Sequence, residues 1–120
     1  MQDKSISEQI NEIRNLQPGW FDGAGSKYDD HILDYIKDFL IKLFDSEEQK
    51  HLYIYPFPDT GVSVECDYNN FNVSLCFYTL EKNIHLCITN FLDDDSLYET
   101  FPMKESSIEL IKNQLKNLEE

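Results

Sequence analysis

Apolar residues recur at helical spacing through the first half of the chain and alternate with polar ones through the second. Ile6, Ile10, Ile13 and Leu16 follow Ser5-x-x-Glu8, a capping box, and predict a helix over about 5–16 that Pro18-Gly19 ends. A second stripe, Ile32, Leu33, Ile36, Phe39, Leu40, Leu43 and Phe44, predicts a helix over about 30–45 capped by Asp29 or Asp30. Its opposite face carries Asp30, Asp34, Lys37, Asp38 and Lys42.

From residue 52 the period falls to two. Leu52–Phe57, Val62–Tyr68, Phe71–Thr79 and Ile84–Asn90 predict four strands, and Leu97–Phe101 a short fifth. Pro58-Asp59-Thr60-Gly61, Asn69-Asn70 and Leu80–Asn83 connect the first four; connectors so short make neighbours antiparallel. Ile108, Ile111, Leu115 and Leu118 predict a last helix over about 104–118, behind Pro102.

The turns imply a register. A two-residue turn at Asn69-Asn70 pairs Cys66 with Val73 and Val64 with Leu75. A two-residue turn at Glu81-Lys82 pairs Leu75 with Ile88, Phe77 with Leu86, Cys76 with Cys87 and Tyr78 with His85. Both place Val62, Val64, Cys66, Val73, Leu75, Phe77, Ile84, Leu86 and Ile88 on one face. Ser63, Glu65, Asp67, Asn72, Ser74, Cys76, Tyr78, His85, Cys87 and Thr89 fall on the other. One apolar and one polar face predict an α+β fold: a two-layer sandwich, with an antiparallel meander of four to five strands and helices on its apolar side, ordered ααββββ(β)α. Residues 1–120 then form a single domain, long enough to bury a core without metal or disulfide.

Charge narrows the function. With 23 acidic against 10 basic side chains and a net charge of −13, the surface repels phosphate backbones, which disfavours direct nucleic-acid binding and anionic membranes. No stretch approaches the roughly 20 apolar residues of a membrane span, and the N-terminal residues lack the features of a signal peptide, so a cytoplasmic location is expected. Cys66, Cys76 and Cys87 are odd in number and lack CxxC spacing, which predicts reduced thiols. Cys76 opposite Cys87, with Tyr78 opposite His85, makes at most a metal half-site; the completing ligands, Glu65 and Asp67, lie one to two strands away, so no metal and no cofactor are expected. There is no HExxH, no serine elbow and no Walker lysine, and His31 and His51 stand at element ends; an enzyme is not expected.

Residues 18–30, PGWFDGAGSKYDD, hold three of the four glycines and the only tryptophan. They follow a helix rather than a strand and are surrounded by aspartates, which argues against a phosphate loop. The expectation is structural: Trp20 in the seam between sheet and helices, Gly23 and Gly25 at backbone angles closed to other residues, and Asp22 bonding loop amides.

Gly19-Trp20-Phe21-Asp22-Gly23-Ala24-Gly25 and Tyr55-Pro56-Phe57-Pro58-Asp59-Thr60-Gly61-Val62-Ser63-Val64-Glu65 resemble the GW-(x)-DGxG and PxPxxGGVxLEW-like motifs of a widespread group of small bacterial proteins. The likeness covers roughly residues 16–80; Thr60 stands where that group usually has Gly, and Cys66 where it has Trp. It implies an accessory protein of mobile-element, toxin–antitoxin or defence loci, and no established reaction.

Asp30, Asp34 and Asp38 recur at i, i+4, i+8, about 6 Å per step, near the phosphate spacing of a nucleic-acid strand. The expected function is therefore a non-catalytic acidic inhibitor, antitoxin-like, immunity-like or anti-defence, whose partner is a protein with a basic nucleic-acid-binding surface. The candidate contact residues are Asp30, Asp34, Asp38, Asp45, Glu47, Glu48, Tyr53, Tyr55, Glu65 and Tyr78. The alternative is a binding or scaffold module that takes a peptide or small molecule on the polar sheet face, with Tyr53, Tyr55 or Tyr78. The oligomeric state stays open.

Overall fold

The computed structural model describes residues 5–23, 25, 27–45, 52–57, 61–68, 71–90, 92 and 96–119. Two helices, α1 (Ile6–Arg14) and α2 (Asp30–Phe44), precede five strands, β1 (Tyr53–Phe57), β2 (Gly61–Tyr68), β3 (Phe71–Tyr78), β4 (Asn83–Asn90) and β5 (Ser96–Pro102); α3 (Ser106–Lys116) follows, extended by a short 3-10 turn. The strands form one antiparallel meander in the order β1-β2-β3-β4-β5. This is the α+β layout that the hydrophobic pattern predicts.

Local chemistry sets the helix starts. Ser5 accepts the Glu8 N–H at 3.1 Å while the Glu8 carboxylate takes the Ser5 N–H at 3.2 Å, closing the capping box. Asp29 caps α2 through the His31 N–H at 2.8 Å. One stripe of each helix, Ile6, Ile10 and Ile13 of α1, Leu33, Ile36, Phe39, Leu40 and Leu43 of α2, Ile108, Ile111 and Leu115 of α3, is buried on the apolar sheet face. Phe39 stands edge-on to Phe77 at 5.4 Å between ring centroids, locking α2 to the middle strand. Each such side chain stabilises the fold by about 1.5–3 kcal/mol, the force that overcomes the self-repulsion of an acidic chain.

The nine residues expected on the apolar face are all buried. Cys66 pairs with Val73 and Val64 with Leu75, as the Asn69-Asn70 connector implies. The next register differs. Tyr78 pairs with Asn83, so Leu75 faces Leu86, Phe77 faces Ile84 and Cys76 faces His85, and Cys87 stands opposite Ser74. The connection is a four-residue loop, Thr79 to Lys82, rather than a two-residue turn. A two-residue type I′ turn needs positive φ at both central residues, here Glu81 and Lys82, neither of them a glycine or asparagine. The longer loop needs it only at Lys82, with φ 59, whose carbonyl takes the Met103 N–H at 2.9 Å. The slip is two residues, so every side chain keeps its face and only its partner changes.

The glycine-rich segment is closed by backbone bonds: Gly19 N–H to the Gly25 carbonyl at 2.9 Å and Gly23 N–H to the Gly19 carbonyl at 3.1 Å. Gly23 and Gly25 both have φ 92, as expected. At Gly25 a side chain is excluded twice, because a Cβ would also lie 2.6 Å from the Trp20 indole. Trp20 itself is half-buried at the margin of the core, against Phe21 and Tyr28. Asp22 contributes a left-handed backbone, φ 50, and no bond from its carboxylate to an amide is found among the described residues. The buried anchor of the segment is Tyr28, whose hydroxyl lies 2.8 Å from the Phe57 carbonyl and 2.6 Å from that of Gly61.

Candidate functional site

All three helices lie on the apolar side of the sheet, and no described element covers the other side. Strand register draws two rows of side chains across that open face. Tyr53, Glu65, Ser74, Cys87 and Tyr98 form one; Tyr55, Ser63, Cys76, His85 and Thr100 form the next. Beside them runs an aromatic line, with Phe57 5.5 Å from Tyr78 and Tyr78 4.5 Å from the His85 ring. Gly61 makes this line possible, since its missing Cβ is where the Phe57 ring lies.

Tyr53, Tyr55 and Tyr98 are 45%, 41% and 74% exposed, large rings on the open side of the sheet. The Tyr55 phenol is pushed up from its usual pKa, first by burial of its base, with the Glu65 carboxylate adding to the shift and a bond to Ser63 opposing it. Tyr53, Tyr55, Glu65 and Tyr78 are thus brought together on one surface, as expected. Tyr98 was missed, although alternation along Leu97–Phe101 places it on the same face as Cys87.

The thiols divide by face. Cys66, on the apolar side, is buried and its pKa is pushed up to about 12 by desolvation. Cys76 Sγ lies 3.7 Å from the Ser63 hydroxyl and 3.8 Å from that of Ser74, while the His85 ring rests on Tyr78. Cys76 therefore opposes His85 in register and not Cys87, and its sulfur has hydroxyl neighbours rather than a base. Among the described residues no three His, Cys, Asp or Glu side chains are grouped closely enough to hold a metal ion.

The acidic candidates lie on the helix layer. Arg14 of α1 reaches Asp30 at 2.8 Å through one guanidinium nitrogen and Asp34 at 2.7 Å through another. Hydrogen bonding to Arg14 holds the Asp34 carboxyl below the usual aspartate value. Lys112 pairs with Asp45 at 3.2 Å, and Lys42 with Glu105 at 2.8 Å. Of the aspartates expected as contact residues, Asp38 alone shows no ion pair among the described residues; Glu47 and Glu48 lie outside them. Arg14 carried no sequence signal for this role, because the pairing joins two helices.

Known protein families, curated proteins and solved structures yield no match to this chain. The surface chemistry therefore carries the functional argument. No helix among the described residues is long and apolar enough to cross a membrane.

Proposed function

We propose that this chain acts by binding another protein on its open sheet face, with no chemistry of its own, as an inhibitor of the antitoxin, immunity or anti-defence kind. The observation that supports this best is the exposure of Tyr53, Tyr55 and Tyr98 on a face that no described helix covers. Single exposed aromatics are ordinary, but Tyr53 and Tyr55 on β1, the Phe57–Tyr78–His85 line and Tyr98 on β5 spread aromatic rings across the width of one face. Tyrosine rings give large contact area at small entropic cost, and interface energy concentrates in such residues. The net charge of −13 favours a partner with a basic surface and speeds its approach.

A second reading places the partner on α2, with Asp30, Asp34 and Asp38 standing in for phosphates. Their spacing favours it; Arg14, which already occupies two of the three, weighs against it.

The test is capture of a partner on the immobilised protein from cells that express it, repeated with two variants and across a salt series. Loss of the partner with Tyr53→Ser/Tyr55→Ser, and retention with Asp38→Asn, is the expected result. Retention by the tyrosine variant, with loss in Asp38→Asn and release at moderate salt, would move the binding site to α2.

A further inference from the structure

The two edges of the sheet are treated differently. On the β1 edge two outward backbone groups are already occupied: the Gln9 side chain of α1 accepts the Ile54 N–H at 2.7 Å and donates to the Leu52 carbonyl at 3.1 Å. The next outward position is Pro56, which has no N–H to offer. A side-chain amide and a proline are devices that keep a foreign strand off an edge.

β5 carries neither along Ser96–Thr100. Met103 N–H donates to the Lys82 carbonyl, back toward β4, and antiparallel alternation then turns Phe101, Glu99 and Leu97 toward β4 and Thr100, Tyr98 and Ser96 outward. Pro102 fits this parity, because its missing N–H falls on the outer side and costs the β4–β5 ladder nothing. Its carbonyl is taken by the Ser107 hydroxyl at 2.7 Å and the Lys104 N–H at 2.9 Å, which closes that end. Between Ser96 and Thr100 no partner for the outward backbone groups is found among the described residues. The strand pairs with β4 without interruption and presents Leu97 and Tyr98, 43% and 74% exposed.

We propose that β5 receives an extended segment of a basic partner protein as a sixth strand, paired to the outward amides of Ser96, Tyr98 and Thr100. This rests on the reading of the chain as a protein binder and specifies where and how the partner attaches. Charge selects the occupant. Two copies of a chain of net charge −13 repel, and β5 paired with itself about Glu99 would set like charges opposite each other. A segment alternating basic and apolar residues places a cation across from Glu99, whose carboxylate is held by Gln114 at 2.7 Å, and its apolar side chains beside Tyr98 on the open face.

The probe is an end-blocked octapeptide of alternating Lys and Val, with a control of the same length carrying a central proline. Amide exchange is followed on the unaltered protein, and affinity is compared with Tyr98→Pro, which removes an outward donor together with the exposed ring, with Tyr98→Ala, which removes the ring alone, and with Glu99→Lys. Expected are exchange at Tyr98 and Thr100 slowed about tenfold or more by the octapeptide and not by its control, and affinity lower by about tenfold in Tyr98→Pro than in Tyr98→Ala, and weaker in Glu99→Lys than in the parent. Unchanged exchange at these two amides overturns the proposal, and so does protection elsewhere with equal affinity for Tyr98→Pro. Concentration-dependent dimerisation abolished by Tyr98→Pro would make the occupant a second copy, against the proposal. Capture that needs Tyr53 and Tyr55 but survives Tyr98→Pro sinks the edge and leaves the open-face reading standing.

Discussion

Gln9 stands in for a neighbouring strand at Ile54. Its carboxamide oxygen accepts the Ile54 N–H and its nitrogen donates to Leu52, so one side chain from α1 makes the two bonds that a sixth strand would make on that edge. Gln9, 8% exposed, belongs to the few buried polar side chains. Replacing it with Met keeps length and apolar bulk but leaves a donor and an acceptor unpaired. Gln9→Met should lower unfolding free energy by about 2 kcal/mol in urea denaturation. A loss under about 0.5 kcal/mol would mean that water satisfies the edge equally well.

Gly23 and Gly25 share the same φ, yet only Gly25 lies under the Trp20 ring. Gly23→Ala should cost on the order of 1–2 kcal/mol, the strain of a left-handed backbone. Gly25→Ala should cost more, and should shift Trp20 fluorescence in the folded state as the indole is displaced. Equal midpoints with an unchanged spectrum would remove the packing role of Gly25.

Arg14 couples α1 to α2 through Asp30 and Asp34. The Asp34 carboxyl is lowered in the folded state, so its contribution is present above the unfolded carboxylate value and is lost as pH falls through the folded one. Arg14→Met should therefore destabilise the protein at neutral pH and low salt. The gap from the parent should close as pH falls below the usual aspartate range and shrink in about 1 M salt. A gap independent of both would assign the role of Arg14 to packing by its aliphatic stem.

Cys66 is raised to about 12 from an ordinary value of 9.0, chiefly by burial. Its thiol favours the folded state up to the unfolded pKa, and that advantage is lost as pH rises from about 9 toward 12. Cys66→Val should flatten the fall in stability over this window. In the parent, a thiol reagent at neutral pH should modify the half-exposed Cys76 and Cys87 well before Cys66, whose reaction should follow global unfolding. Equal rates at all three positions would contradict the burial of Cys66.

Elements and faces were legible in the chain because they depend on periods of two and 3.6, which are local. Ile6, Ile10 and Ile13 had to share a helix face, and Val73, Leu75 and Phe77 a sheet face, whatever packed against them. The β2–β3 register was legible too, since the strands flank a connector of two residues. The β3–β4 register was not. Thr79 to Lys82 admits more than one loop, and the choice rests on Lys82 taking a left-handed backbone that Met103, far along the chain, supports. The open face could be read as polar; its exposure could not, because helices cover a sheet from either side with the same local pattern.

Tertiary structure alone decided the partners of long side chains. That Arg14 would hold Asp30 and Asp34, that Gln9 would close β1, and that Tyr28 would tie the glycine segment to Phe57 and Gly61 depends on elements meeting at distances of a few ångströms. No periodicity encodes those distances. By itself the sequence determined which residues must leave water and which way each strand faces, through the hydrophobic effect acting on regular backbone geometry. Which polar groups meet, and therefore which acidic side chains are already occupied and which strand edge stays open, was settled only when the helices docked on the sheet.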